Sequence, residues 1–112
     1  MITAVILARC NSSRLPNKHF YKIGNKKIIN IIIDNLKKNK AISKIYLATG
    51  TEKKNSLFKR FINNKKLEIY FHKNESDVTG RICELTKQIK TKYTLLISGD
   101  CVLIDNNFIE RL

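Results

Sequence analysis

From its second residue onward the chain alternates a short apolar run with a helical apolar stripe, and it keeps that alternation to its end. Ile2–Ala8 is an unbroken apolar run, the pattern of a strand buried on both faces of a parallel sheet. Over residues 26–39, Ile28, Ile29, Ile32, Ile33 and Leu36 fall on one face of a helix. Lys44–Thr49 reads as a second strand, stopped by Gly50, and Leu57, Phe58, Phe61 and Ile62 mark a shorter second helix. Leu67–His72, with Ile69, Tyr70 and Phe71, reads as a third strand. Val78, Ile82, Leu85 and Ile89 outline a third helix, and Asp77 stands near its start, where the helix dipole favours a negative charge. Tyr93–Ser98 reads as a fourth strand ending at Gly99–Asp100, and a last helix begins near Asn106.

This β-α-β-α-β-α-β-α order predicts an α/β fold, a three-layer sandwich around a mostly parallel sheet with right-handed crossovers. A length of 112 residues supports one modest core, so residues 1–112 read as a single domain. The pattern stops inside the last helix with no capping glycine, which predicts further chain beyond Leu112.

Charge narrows function less than it first promises. The net charge is +13, from 22 basic and 9 acidic residues, and such a field draws anions of many kinds. Lysine supplies most of it and comes with abundant Ile and Asn, the combination an AT-rich coding sequence produces whatever the function. The lysines are spread along the chain rather than gathered in a basic block, and Lys53–Lys54 and Lys65–Lys66 read as solvated faces. No apolar run approaches the roughly 20 residues of a membrane helix, and Arg9 follows the first run instead of preceding it as in a secretory signal. A cytoplasmic protein is expected. Cys10, Cys83 and Cys101 form no CxxC pair and no Cys/His cluster, so reduced thiols are expected rather than a zinc site or a disulfide framework.

In an open parallel sheet, ligands bind beyond the carboxyl ends of the strands. Two loops there carry chemistry. The first, Arg9-Cys10-Asn11-Ser12-Ser13-Arg14-Leu15-Pro16-Asn17-Lys18, follows the first strand directly. It combines guanidinium forks, a lysine, two hydroxyls and a series of backbone N–H groups, the parts that a triphosphate requires. Pro16 stiffens it. It is not a Walker A loop, and no GxGxxG is present. The second is Ser98-Gly99-Asp100-Cys101-Val102-Leu103-Ile104-Asp105, where a carboxylate just past a buried strand can reach a Mg²⁺ that bridges phosphates. A plain basic connection and a plain Gly-Asp turn, with Asp105 as a helix cap, are the alternatives for the two loops.

The run Val5-Ile6-Leu7-Ala8-Arg9 … Ser12-Ser13-Arg14-Leu15-Pro16-Asn17-Lys18 resembles the signature of cytidylyltransferases that activate acidic sugars. These include the 3-deoxy-manno-octulosonate and acylneuraminate enzymes, and the resemblance is greatest to the SpsF-like branch of spore-coat polysaccharide biosynthesis. Asp77-Val78-x-Gly80-Arg81 and Ser98-Gly99-Asp100-Cys101-x-Leu103-Ile104-Asp105 are similar to that branch at matching intervals, and the likeness runs from residue 2 to residue 112. It implies part of a Rossmann-like nucleotide-diphospho-sugar transferase fold. It also implies transfer of CMP from CTP to a sugar with release of pyrophosphate. By this resemblance Arg9, Ser12, Ser13, Arg14 and Lys18 would hold CTP, chiefly its phosphates. Arg14 and Lys18 would offset charge on the leaving pyrophosphate, and Asp100 would hold Mg²⁺. Asn11 and Asn17 stand where the branch usually has Gly, and Asn is the next-best residue for a left-handed backbone. Val102 replaces a usual Pro. Family members are about twice as long, and their later half supplies a second metal-binding carboxylate, the sugar site and often a dimer contact.

Asp77 and Arg81 fit either substrate binding or a solvated i, i+4 ion pair. His19 and His72 have no partner at a telling spacing and receive no catalytic role. Besides a nucleotidyltransferase, two further functions remain open: a fragment that holds CTP without turnover, and a basic nucleic-acid-binding domain. An open apolar edge after four strands favours the fragment for residues 1–112 alone. The nucleic-acid reading lacks aromatics interleaved with cations, because Phe58, Phe61, Tyr70 and Phe71 fit core positions.

Overall fold

The computed structural model describes residues 1–10, 15–61 and 67–99, with the Phe61 side chain left aside. The Ile2–Ala8 apolar run forms β1 (Ile2–Leu7), buried at all but its last position as a strand flanked on both sides must be. A 3-10 turn (Lys18–Phe20) follows, then a short antiparallel hairpin of β2 (Lys22–Ile23) and β3 (Lys26–Lys27). The chain continues through α1 (Ile28–Lys37), β4 (Ile42–Thr49), α2 (Glu52–Asn55), α3 (Leu57–Phe61), β5 (Leu67–Phe71), α4 (Val78–Thr86) and β6 (Tyr93–Ser98).

The main sheet runs β5-β4-β1-β6, with every neighbouring pair parallel. From β1 the chain steps outward through β4 to β5 and then returns to the other side of β1 at β6. That reversal lies between β1 and β6, and a doubly wound sheet opens a ligand crevice at such a switch point.

Helices cover both faces, as a three-layer sandwich requires. Ala4, Ile6 and Ala8 of the first strand and its extension pack with Ile29, Ile32, Ile33 and Leu36 of α1 and Phe58 of α3. On the opposite face Val5 and Ala48 pack with Leu85 of α4, and Leu7, Tyr46, Tyr70 and Ile89 lie against them. The α1 stripe read from the sequence is the buried one: Ile29, Ile32 and Leu36 are fully enclosed. Truncating Leu36 to alanine is expected to cost about 2–5 kcal/mol, because the removed atoms leave a cavity in a close-packed layer. Chemical denaturation checks it; a loss near zero would mean that the layer collapses without a void.

Several boundaries differ from the sequence reading. The helix placed over 26–39 begins at Ile28, because Lys26 and Lys27 instead pair with Ile23 and Lys22. The strand placed at Lys44–Thr49 begins at Ile42, where Ile42 lies level with Ile2. The second helix is two short pieces around Ser56. The third ends at Thr86, although Ile89 still packs on the sheet. Ile62 and the helix expected near Asn106 lie outside the described residues. Among the described residues β6 pairs with β1 alone, and its Leu96 is 46% exposed. No helix among the described residues is long and apolar enough to cross a membrane.

Candidate functional site

Three chain segments meet beyond the carboxyl ends of β1, β4 and β6. Leaving β1, the chain stays in sheet register for one more residue, with Ala8 N donating to Ala48 O at 3.3 Å. Arg9 and Cys10 then leave the sheet. Asn17 N donates to Cys10 O at 2.7 Å, so the two ends of the first loop are drawn together. Asn17 holds φ 59, the left-handed backbone anticipated for an asparagine in a glycine position. Lys18 opens the 3-10 turn directly after it. Arg9 and Lys18 therefore stand at the two closed ends of one loop. Asn11, Ser12, Ser13 and Arg14 lie outside the described residues.

The second loop is joined to the first by a histidine. Gly99 N donates to Leu7 O at 2.9 Å, and His19 Nδ1 stands 3.1 Å from Gly99 O. A carbonyl oxygen only accepts, so His19 carries its proton on Nδ1. His19, given no catalytic role by the sequence, is a buried tie between the Lys18 turn and the end of β6. Gly99 is needed there: a Cβ would stand 2.9 Å from the Ala8 Cβ and 2.7 Å from His19 Cε1. Asp100 follows Gly99 in sequence but lies outside the described residues. Among the described residues no three His, Cys, Asp or Glu side chains gather as a metal group.

Beside Arg9 is a polar hub that sequence reading missed. Arg9 Nη1 donates to Glu75 O at 3.1 Å and lies 3.8 Å from Glu75 Oε2. Arg81, only 1% exposed, sends Nη2 to the same carbonyl at 3.1 Å and Nη1 to Ala48 O at 3.4 Å. Burial first, then the charge of Arg9, push the Arg81 guanidinium below its usual pKa, against the opposing charges of Glu75 and Asp77. The solvated Asp77–Arg81 ion pair is not what forms. Asp77 caps α4 by accepting Gly80 N–H at 2.9 Å, and Arg81 turns inward under β4. Asn55 and Thr51 complete the hub by binding the Glu75 carboxylate. The one signal in the sequence was the i, i+4 spacing of Thr51 and Asn55, which hydrogen bond as Asn55 Nδ2 to Thr51 O at 2.8 Å. Nothing in the spacing relates Glu75 to Arg9.

Cys10 sits at the edge of this hub, buried and unbonded to any other cysteine. Burial, and after it the Glu75 charge, push its thiol up from the ordinary value of 9.0. The sign follows: the stabilisation held by the protonated thiol is fully present below the unfolded thiol's value and is lost as pH rises through the higher folded value. At pH 8 iodoacetamide is expected to label exposed Cys83 well before Cys10, with peptide mass spectrometry as the check. Cys10 reacting first would contradict its burial.

A sequence model described as cytidylyltransferase matches residues 3–112. The chain belongs to the cytidylyltransferase family. A 3-deoxy-manno-octulosonate cytidylyltransferase of Syntrophotalea carbinolica is 30% identical over 109 residues, covering 97% of this chain and 42% of that protein. Solved structures share the fold, two cytidylyl-transferring enzymes among them. A cytidylyltransferase from Leptospira borgpetersenii superposes with a TM-score of 0.84 at 23% identity, covering 98% of this chain and 46% of that one. A CMP:2-keto-3-deoxy-manno-octonic acid synthetase complexed with CTP gives a TM-score of 0.76 at 24% identity, over 99% of this chain and 45% of that one. The cytidylyltransferase chain described here thus spans less than half the length of the curated relatives it matches, 45% and 42%. The match supports the α/β fold class read from the sequence.

Proposed function

We propose that residues 1–112 form the CTP-binding part of a cytidylyltransferase that activates an acidic sugar in the cytoplasm. In the reaction a sugar hydroxyl oxygen attacks the α-phosphorus of CTP. The bond from that phosphorus to the bridging oxygen of the β-phosphate breaks, pyrophosphate leaves with the bonding pair, and the hydroxyl proton passes to solvent. Such transfers need positioning and charge neutralisation more than covalent help from the protein.

Arg9, Ser12, Ser13, Arg14 and Lys18 are assigned to the phosphates, and Arg14 and Lys18 to the charge that grows on the leaving pyrophosphate. Asp100 is assigned to the metal as one hard oxygen donor, which suits an ion that takes its other ligands from phosphates and water. Mg²⁺, when bound, supplies charge neutralisation on the phosphate oxygens. The observation that supports the reading most is the double anchoring of Gly99, to Leu7 O at 2.9 Å and to His19 Nδ1 at 3.1 Å. It ties the residue before Asp100 to both ends of the loop-bearing segment.

Calorimetric titration with CTP and Mg²⁺, repeated with ATP and with Asp100→Asn, tests the assignment. Saturable CTP binding that weakens in the variant is expected. A folded chain that binds neither nucleotide, or binds both equally whatever stands at 100, would overturn it.

A further inference from the structure

Asn55 is fully enclosed, and its side chain links the exit of β1 to Thr51 and Glu75. Its Oδ1 accepts Cys10 N–H at 2.9 Å, and its Nδ2 donates to Thr51 O and to Glu75 Oε1, each at 2.8 Å. Glu75 Oε1 also accepts Thr51 N–H at 2.9 Å, while the Glu75 carbonyl receives Arg9 and Arg81. Gly50 makes room for this carboxylate, because a Cβ there would stand 2.0 Å from Oε1. Three segments far apart in sequence are thereby bolted together: the exit of β1, the turn after β4 and the turn after β5.

We propose that Asn55 and Glu75 are positioning residues for the nucleotide loop, setting the Arg9–Cys10 peptide and the Arg9 guanidinium before any ligand arrives. The inference rests on the CTP reading given above and extends it to residues outside the loop. What the hub holds argues for positioning rather than for general support. Its grip falls on the Cys10 amide and the Arg9 guanidinium, where the loop assigned to the phosphates leaves the sheet. The charges agree. Two guanidinium groups share one carbonyl oxygen, with the Glu75 carboxylate beside Arg9 and the charges of Glu75 and Asp77 acting on Arg81. Of the two cations Arg9 is the partly exposed one, so it rather than enclosed Arg81 is open to an anion. Pre-set groups of this kind lower the ordering cost of binding.

Two variants reach the hub from different sides. Asn55→Asp keeps the acceptor for Cys10 but faces Glu75 Oε1 with a second negative oxygen. Gly50→Ala evicts the Glu75 carboxylate without touching Asn55. In each, exchange of the Cys10 amide hydrogen is expected to speed at least tenfold, and CTP affinity to fall about tenfold. Adding Arg9→Ala to either variant is expected to give a total loss well below the product of the two separate losses, since neighbours acting as one unit are non-additive. Losses that simply add, or Cys10 exchange unchanged in both variants, would overturn the proposal. Wild-type protein that binds no CTP would overturn the nucleotide reading instead, while the exchange measurement would still decide whether Asn55 and Glu75 hold the loop.

Discussion

Replacing Arg9 with alanine is expected to weaken CTP binding about tenfold to a hundredfold while leaving the folded state nearly as stable as before. The binding loss follows from one charge-assisted contact worth about 1.5–3 kcal/mol, with each 1.4 kcal/mol a factor of ten. Stability should change little because the side chain is 35% exposed and its carbonyl acceptor on Glu75 keeps Arg81 as a donor. Arg9→Lys should restore only part of the affinity, since an ammonium lacks the planar fork that grips two oxygens at once. Calorimetry at two salt concentrations separates this contact from general attraction. A lysine-rich surface would lose affinity steeply with salt in every variant alike, whereas loss of the Arg9 contact persists. Unchanged affinity in Arg9→Ala would remove Arg9 from the site.

Gly99→Ala should be as damaging, but through the fold. The added Cβ meets the Ala8 Cβ at 2.9 Å and His19 at 2.7–3.0 Å, and Ala8 and His19 are both buried, so neither wall moves freely. Overpacking of this kind costs about 1–3 kcal/mol. The thermal midpoint should drop by roughly 4–8 °C for each kcal/mol, with weaker CTP binding because the tie from His19 is strained. Ala8→Gly in the same chain should recover part of the midpoint by removing one of the two walls. A midpoint unaltered by Gly99→Ala would mean that β6 and the Lys18 turn are not held as close as the hydrogen bonds indicate.

The sheet was legible because burial writes itself into sequence as uninterrupted apolar runs. β1 is enclosed on both faces, and Ile2 through Leu7 read as a strand with one residue to spare. The α1 stripe was legible for the same reason. The hairpin at residues 22–27 was not, because both of its strands are short and largely exposed, so no alternation marks them. Its signal was the Gly24-Asn25 pair between them, where Gly24 turns the chain at φ 65. The first two residues of β4, Ile42 and Ser43, were hidden for a similar reason: one half-buried and one exposed, they begin no apolar run.

The site was legible where chemistry is local and hidden where it is not. Arg9, Lys18 and the Asn17 turn lie in one stretch, and residue types announced them. Glu75, Asn55 and Gly50 act across 20 to 66 positions of sequence, through contacts that only folding creates. Of the two alternatives for Arg81, the exposed ion pair fails: the spacing from Asp77 suits it, while the real surroundings are a strand carbonyl and a loop carbonyl beneath the sheet.

The most direct measurement of the central claim is a heteronuclear NMR titration of the isotope-labelled chain with CTP and Mg²⁺. The account requires amide shifts concentrated at Arg9, Cys10, Lys18 and Gly99, the ends of the two loops at the β1–β6 switch point, with β5 and the hairpin quiet. Shifts spread instead over the lysines of α1, α2 and the hairpin, with those four amides unmoved, would show a basic surface attracting an anion and would contradict a built nucleotide site.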